Sequence, residues 1–454
     1  MKNSPFINSG NRSVLGILAA IALSCASILL WAGCDLQPAQ NLVSRNDLGA
    51  TASDEGATGT KSSLLHFAQM SDVHIVDDTD PLRLENIKLC PQSQYDLGYL
   101  DVLIQGISRE QDLYSARTWD AVISSINDAD NSDPFAFAIS TGDHTDTGLK
   151  GELQWFIEIA DGILSDSLLT AIAEGAVADF KPAGLNPPWY AAVGNHDVEY
   201  EGTVNNSSFL LCLLSLYGDT GALSELPDVL EAYKSSVTEP WWHGFANQPG
   251  SSMANSYGYY SFDPNDIVHC IVLNTAIFIP AGEKETFSEG CLDLSQFDWM
   301  IRDIEANRDR LCVIFSHHSP LSSFYDSLSE VKADELMKKL ASYDNVIAHI
   351  CGHDHINAID PVKNESGAGG YWNINTCAII DWPQEWRNIT IKDNGNGTGA
   401  ISCRMVRHSD GLCLEIASGD PDAQKSTREG TKQDRDVSLK FAIPAAVKNR
   451  ILSL

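Results

Sequence analysis

The sequence predicts an α/β fold, and three observations carry that expectation. Apolar, strand-like runs alternate with segments of helical spacing along most of the chain. Most of these runs end directly in residues bearing Asp, Asn or His, as expected where an α/β sheet gathers its ligand crevice. The final strand-like stretch, 370–407, contains a turn signal, Lys392-Asp-Asn-Gly-Asn-Gly-Thr-Gly399, that predicts closing antiparallel strands.

The elements follow in chain order. Residues 1–34 combine Lys2 and Arg12 with an apolar run and a small pair before Cys34, the pattern of an export signal. Leu30-Trp31-Ala32-Gly33-Cys34 resembles a bacterial lipoprotein box, and the alternative is an uncleaved anchor of about 20 residues. Both place the body outside the cytoplasm, touching the membrane only through its N-terminus. Residues 35–63, rich in Ser, Thr, Gly, Ala and Asp, read as a flexible tether. Strands are then predicted over Leu64–Met70, Pro134–Ser140, Trp189–Val193, Ile267–Ile277, Leu311–Ser316 and Val346–Cys351. Helices are predicted over Ser115–Ala129, Gly151–Ile163, Leu294–Arg308 and Ser327–Tyr343. Segments 77–114 and 198–256 exceed what a crossover needs and read as insertions. The second holds Trp241, Trp242, His243 and Phe245, a set suited either to stacking a substrate or to packing. Residues 411–454 read as a polar tail beyond a domain spanning 64–410.

Composition narrows the function classes. The chain has 454 residues, with 30 Lys and Arg against 61 Asp and Glu, a net charge of −31. Such a surface repels phosphate backbones, so nucleic acid is not an expected partner. Hydrophobic residues make up 43%, enough for a large core and against disorder. Eleven cysteines include Cys25 and Cys34 of the N-terminal segment, leaving nine, so at least one stays unpaired. Cys270, Cys312, Cys351 and Cys377 lie in strand-like runs and read as small buried hydrophobes. Cys403 and Cys413 form the one candidate pair. Ser329-Glu330-Val331-Lys332 matches S-x-x-K, but the companion motifs of serine β-lactam chemistry are absent.

Five clusters of metal-type ligands occur in order: Asp72-Val73-His74, Gly142-Asp143-His144-Thr145-Asp146, Gly194-Asn195-His196-Asp197, His317-His318-Ser319-Pro320 and Gly352-His353-Asp354-His355. Carboxylate, imidazole and amide oxygen suit hard and borderline metals, and one carboxylate can bridge two ions. Residues spaced i, i+2 on an extended segment point the same way, so Asp72 and His74 can share an ion. Any single cluster is weak; five in register are not.

The ordered set D-x-H, G-D-x-x-D, G-N-H-[DE], H-x-P and G-H-x-H resembles the calcineurin-like metallophosphoesterase superfamily. The resemblance implies a four-layer α/β/β/α sandwich of two mixed sheets with a dinuclear centre at the strand ends. It implies Asp72, His74 and His355 on one ion, Asn195, His318 and His353 on the other, and Asp143 bridging both. His318 is chosen over His317 because it stands two residues before Pro320. His196 would lie beside the leaving group, oriented by the Asp146 carboxylate. The implied activity is hydrolysis of phosphoesters by two divalent or trivalent ions, of Mn, Fe or Zn, with a bridging hydroxide as nucleophile. The second motif lacks the Tyr of a purple ferric site. A small or lipid-linked phosphomonoester is the preferred substrate, with a phosphodiester the alternative and a non-catalytic metal-binding protein the third reading.

Overall fold

Strand formation follows the apolar runs. The computed structural model describes residues 42–54, 56–83, 109–202, 214–216, 225–249, 257–277, 288–324, 327–421 and 423–454. In chain order these hold β1 (Val43–Arg45), β2 (Ser62–Met70), α1 (Ser115–Ser132), β3 (Phe137–Ser140), α2 (Lys150–Ala160), α3 (Asp166–Glu174) and β4 (Trp189–Ala191). Next come α4 (Leu226–Tyr233), β5 (Tyr260–Phe262), β6 (Val268–Val272), α5 (Leu294–Ala306), β7 (Leu311–Phe315), α6 (Ala333–Ala341) and β8 (Val346–Cys351). The chain closes with β9 (Ala358–Lys363), β10 (Gly370–Asn375), β11 (Glu385–Asp393), β12 (Thr398–Arg407), α7 (Gly411–Gly419), β13 (Val437–Ala442) and α8 (Ala445–Ser453).

The strands form two mixed sheets. The first runs β1-β13-β12-β11-β2-β3-β4, and the second β5-β6-β7-β8-β10-β9. β2, β3 and β4 are parallel neighbours, as are β6, β7, β8 and β10. Of these, β3, β6, β7 and β8 are buried throughout and mainly apolar, as buried parallel strands must be. The sheets face each other through aromatic contacts: Phe67 lies 6.0 Å from Phe315, and Phe137 lies 5.3 Å from Phe262, centroid to centroid.

Period-two alternation sends neighbouring residues to different layers. On β7, Val313 and Phe315 join the core between the sheets, whereas Cys312 and Ile314 pack outward against Phe297, Met300 and Ile304 of α5 and Leu336 and Leu340 of α6. On the far side of the first sheet, α1 buries Trp119, Val122, Ile123 and Ile126, the i, i+3, i+4, i+7 stripe of an amphipathic helix. The result is the expected α/β/β/α order. Helix starts are capped locally: Asp293 accepts from Gln296 N at α5, and Ser165 accepts from Leu168 N at α3.

Three expectations need correction, and one open alternative is decided. The tether assigned to 35–63 does not extend to 63, because β1 pairs in parallel with β13 through Val43–Val437 and Arg45–Leu439. The polar tail assigned to 411–454 carries α7, β13 and α8. β13 looks polar by composition because only alternate residues, Val437, Leu439 and Phe441, are buried. Cys403 and Cys413 are both free and buried, as are Cys270, Cys291, Cys312, Cys351 and Cys377. The aromatic segment of the 198–256 insertion is mainly core. His243 stacks on Trp189 at 3.4 Å, Phe245 packs on Tyr233 and Tyr260, and Trp242 donates to Leu230 O. Trp241 alone of the four is exposed.

The export signal with Cys34, the start of the tether, the middle of the 77–114 insertion with Cys90, and Cys212 lie outside the described residues. Among the described residues no helix is long and apolar enough to cross a membrane. Residues Val43–Leu454 form one compact unit.

Candidate functional site

The five ligand clusters sit where β2, β3, β4, β7 and β8 end, and backbone hydrogen bonds lace their loops together. Asp72 N donates to Gly142 O at 3.0 Å, His74 N to Asp143 O at 3.0 Å, and Ile75 N to His144 O at 2.9 Å. Asp197 ties the second and third loops, accepting from His144 N at 2.7 Å and Gly194 N at 2.8 Å. Glu152, on the first turn of α2, accepts from Asp77 N and Thr147 N. Burial and the nearby Asp146 push its carboxyl up to about 8.

These loops are not extended. Asp72 (φ 56°), His74 (47°), Asp143 (53°), His353 (69°) and His355 (56°) all adopt left-handed backbone. Such conformations cost about 1–3 kcal/mol each for a non-glycine residue, and they concentrate where function constrains the chain. Asp72 and His74 therefore share a side through alternate left-handed turns, not through an extended strand end. Two glycines make the approach possible. A Cβ on Gly194 would overlap Asp143, and one on Gly352 would overlap Ser71 Oγ and Asp72 Oδ2.

The side chains converge in two halves. Asp72, His74 and His355 form one cluster, and His317, His318 and His353 another, with ligand atoms in each lying within 4.8 Å of one another. Asp143 joins them: its Oδ2 is 3.7 Å from His74 Nε2 and 3.0 Å from His317 Nε2. Within each half, imidazole nitrogens face each other, His74 Nε2 and His355 Nε2 at 3.3 Å and His353 Nδ1 and His317 Nε2 at 3.3 Å. Asn195 donates through Nδ2 to Gly202 O at 2.9 Å, while its buried Oδ1 has no hydrogen-bond partner among the described residues. An orphaned buried amide oxygen and facing imidazoles fit a cation set among them.

Three roles differ from those the resemblance implies. First, both ring nitrogens of His318 are engaged, Nδ1 with Thr275 Oγ1 at 2.8 Å and Nε2 with Ser288 O at 2.9 Å. His317 uses only Nδ1 for the protein framework, on Thr141 O at 2.8 Å, and turns Nε2 toward Asp143 and Asp72. The geometry thus favours His317 as the ligand of this loop. Second, the Asp146 carboxylate does not orient His196. It accepts from His74 Nδ1 at 2.9 Å and Arg109 Nη1 at 2.8 Å, and it is the Asp146 carbonyl that receives His196 Nδ1–H. Third, Asp381 holds His355, its Oδ2 2.6 Å from His355 Nδ1. Asp381 and Arg109 follow no motif, so sequence reasoning missed both. His144, also within the second cluster, is structural, bonded to Ser140 Oγ and Tyr233 Oη.

Charge follows this arrangement. Burial opposes ionisation of Asp72, but His355 and His317 outweigh it and hold the carboxyl at about 2. Asp143 is likewise held well below the usual carboxylate range by His317 and His196 against burial. His317 rises to about 9 and His355 to about 9, because Asp143 and Asp72, respectively, overcome desolvation. His353 falls to about 3, chiefly by burial and then by His317.

A family model described as calcineurin-like phosphoesterase matches residues 65–357. No curated protein matches the chain. Among solved structures the chain is similar to a dimetal phosphatase from Danio rerio, with 12% identity, 77% of this chain and 100% of that chain covered, and a TM-score of 0.39. It is also similar to a purple acid phosphatase from yellow lupin (Lupinus luteus), at 10% identity over 86% of this chain and 56% of that one, TM-score 0.39. A putative 5'-nucleotidase from Staphylococcus aureus is 15% identical over 79% of this chain and 58% of that chain, TM-score 0.38.

Proposed function

The chain belongs to the calcineurin-like phosphoesterase family and is a phosphoric ester hydrolase with a metal site, and from that premise we propose that it hydrolyses a small or lipid-linked phosphomonoester outside the cytoplasm, using two metal ions of Mn, Fe or Zn. The observation that carries the two-ion reading is Asp143, whose single oxygen Oδ2 faces imidazoles from both halves. Asp72, His74 and His355 would hold one ion, and Asn195, His317 and His353 the other, with Asp143 between. When bound, the ions supply Lewis acidity toward the phosphoryl oxygens and an activated water.

The chain's own groups do the rest. Asp143 is fixed by His196 N, which donates to its Oδ1 at 2.8 Å. His196 is held through Nδ1–H on the Asp146 carbonyl, and in its imidazolium form Nε2–H carries the proton it can deliver to the leaving oxygen. His318 frames the site wall between Thr275 and Ser288. The substrate class rests on charge and packing. A surface of net −31 disfavours a long polyanion but admits a small ester to a cationic centre. Of the four side chains that could have stacked a substrate, Trp242, His243 and Phe245 are committed to the core, which supports the monoester reading. The extracytoplasmic setting rests on the N-terminal signal pattern and Cys34.

The test is hydrolysis by the full chain loaded with Mn²⁺, Zn²⁺ or Fe²⁺, comparing p-nitrophenyl phosphate with bis(p-nitrophenyl) phosphate. Faster monoester turnover is expected, and Asp143→Asn should reduce both rates by more than about 100-fold, beyond the loss seen for groups that only support ligands. Diester preference would replace the reading with a phosphodiesterase. Bound metal without hydrolysis of either ester would overturn it.

A further inference from the structure

Arg109 stands near the C-terminal end of the 77–114 insertion, more than 30 residues in sequence from every ligand cluster. Its side chain is only 12% exposed. Nη1 bonds Asp146 Oδ1 at 2.8 Å, the same oxygen that receives His74 Nδ1, and Nε lies 3.5 Å from Asp381 Oδ1. Asp381 in turn holds His355. One guanidinium therefore spans the two carboxylates that orient His74 and His355, the two imidazoles of a single half of the centre. The same segment adds Gln111 Nε2 to Asp381 Oδ1 at 3.0 Å, and Arg428, from the single helical turn Lys425–Arg428, pairs with the other oxygen of Asp381, Oδ2.

We infer that Arg109 is a positioning residue that selectively tunes the Asp72–His74–His355 metal position, by fixing the separation of Asp146 and Asp381 behind its two imidazoles. The inference rests on the two-ion reading above. Two buried carboxylates side by side repel, and without a cation between them each can draw apart and turn its imidazole with it. The planar fork of arginine meets both at once, which a point charge on a flexible stem does not. Groups that orient ligating imidazoles set metal affinity by about 10–100-fold. Among the described residues Arg109 pairs with Asp112, Asp146 and Asp381, and the ligand-type imidazoles these carboxylates hold are His74 and His355. Among the described residues, Arg109, Gln111 and Arg428 thus act on the centre through the carboxylates behind His74 and His355.

The test is metal titration of the full chain against a chelating indicator with Zn²⁺, together with the visible spectrum of the Co²⁺ form. The variants are Arg109→Gln, Arg109→Lys and a control, Arg117→Gln, whose side chain pairs with Asp410 away from the centre. Arg109→Gln should weaken one of two Zn²⁺ equivalents by about 10–100-fold, leave the other within about twofold, and alter half of the Co²⁺ absorption. Arg109→Lys, which keeps the charge, should fall between, and Arg117→Gln should match the wild type. Equal weakening of both equivalents would mean a general packing role and overturn the inference, as would unchanged affinities. If Arg109→Gln does not fold, the lysine variant alone decides by the same two criteria. A wild-type chain that binds no Zn²⁺ would instead overturn the two-ion reading, which distinguishes the two failures.

Discussion

His317 and His318 are adjacent, both fully buried, and both follow the end of β7, yet the fold gives them different work. Spacing alone favours His318, since it stands in H-x-P register. The structure commits both nitrogens of its ring to Thr275 and Ser288, and leaves a ring nitrogen of His317 facing the carboxylates. His317→Asn is therefore expected to lose at least about tenfold in affinity for one metal equivalent, and His318→Asn distinctly less. Metal content after dialysis against a chelator measures both. Greater loss from His318→Asn would restore the assignment made from spacing. The same limit explains why Asp381 and Arg109 were invisible. A ligand near a strand end carries a local signature, whereas its supporting carboxylate arrives from any segment the topology brings close.

At the scale of elements, most of the architecture was legible. The apolar runs at 64–70, 134–140, 189–193, 311–316 and 346–351 all contain strands, and the Asn-Gly turn at 394–397 joins β11 to β12. Burial on both faces makes such strands continuous apolar runs, a signal that needs no partner to be read. β1 and β13 escaped because a three-residue strand and an alternating one differ little from loop in composition. The loops between were legible as ligand carriers but not in shape: the left-handed turns at Asp72, His74, His353 and His355 follow from interlacing of several loops. Gly352 is where that interlacing is tightest. Gly352→Ala should displace Asp72 by pressing on its Oδ2 and on Ser71, cutting metal affinity and turnover by about 10-fold or more while circular dichroism stays native. Gly367→Ala is the comparison, because a Cβ there meets nothing, although its left-handed φ of 75° carries its own local cost. Wild-type metal affinity in Gly352→Ala would show that the loop can yield, and that close packing at this point does not hold the centre.

Across the whole molecule, acidity has a structural consequence apart from substrate choice. With 61 acidic against 30 basic side chains, cations are scarce, and pairs between layers depend on few of them. His269, on β6, is one. Its Nδ1 lies 2.7 Å from Asp263 Oδ1 beyond β5, and its Nε2 lies 3.0 Å from Asp303 Oδ2 on α5. It joins the edge of the second sheet to the outer helical layer, far from any ligand cluster in sequence. Burial opposes its protonation, but the two carboxylates outweigh that and raise its pKa above the ordinary value of 6.5. The sign follows from linkage. The folded state binds the proton more tightly than the unfolded chain, so the stabilisation is fully present below pH 6.5 and fades as pH rises through the elevated folded value. His269→Asn should thus lower unfolding free energy by about 1.5–3 kcal/mol near pH 6, the range for hydrogen bonds to charged groups, and by progressively less toward alkaline pH. Denaturant unfolding of metal-free protein across that range measures the difference without interference from the centre. A deficit that stays constant with pH would mean that the imidazole contributes packing and not charge, and that α5 is held to the sheet by its apolar stripe alone.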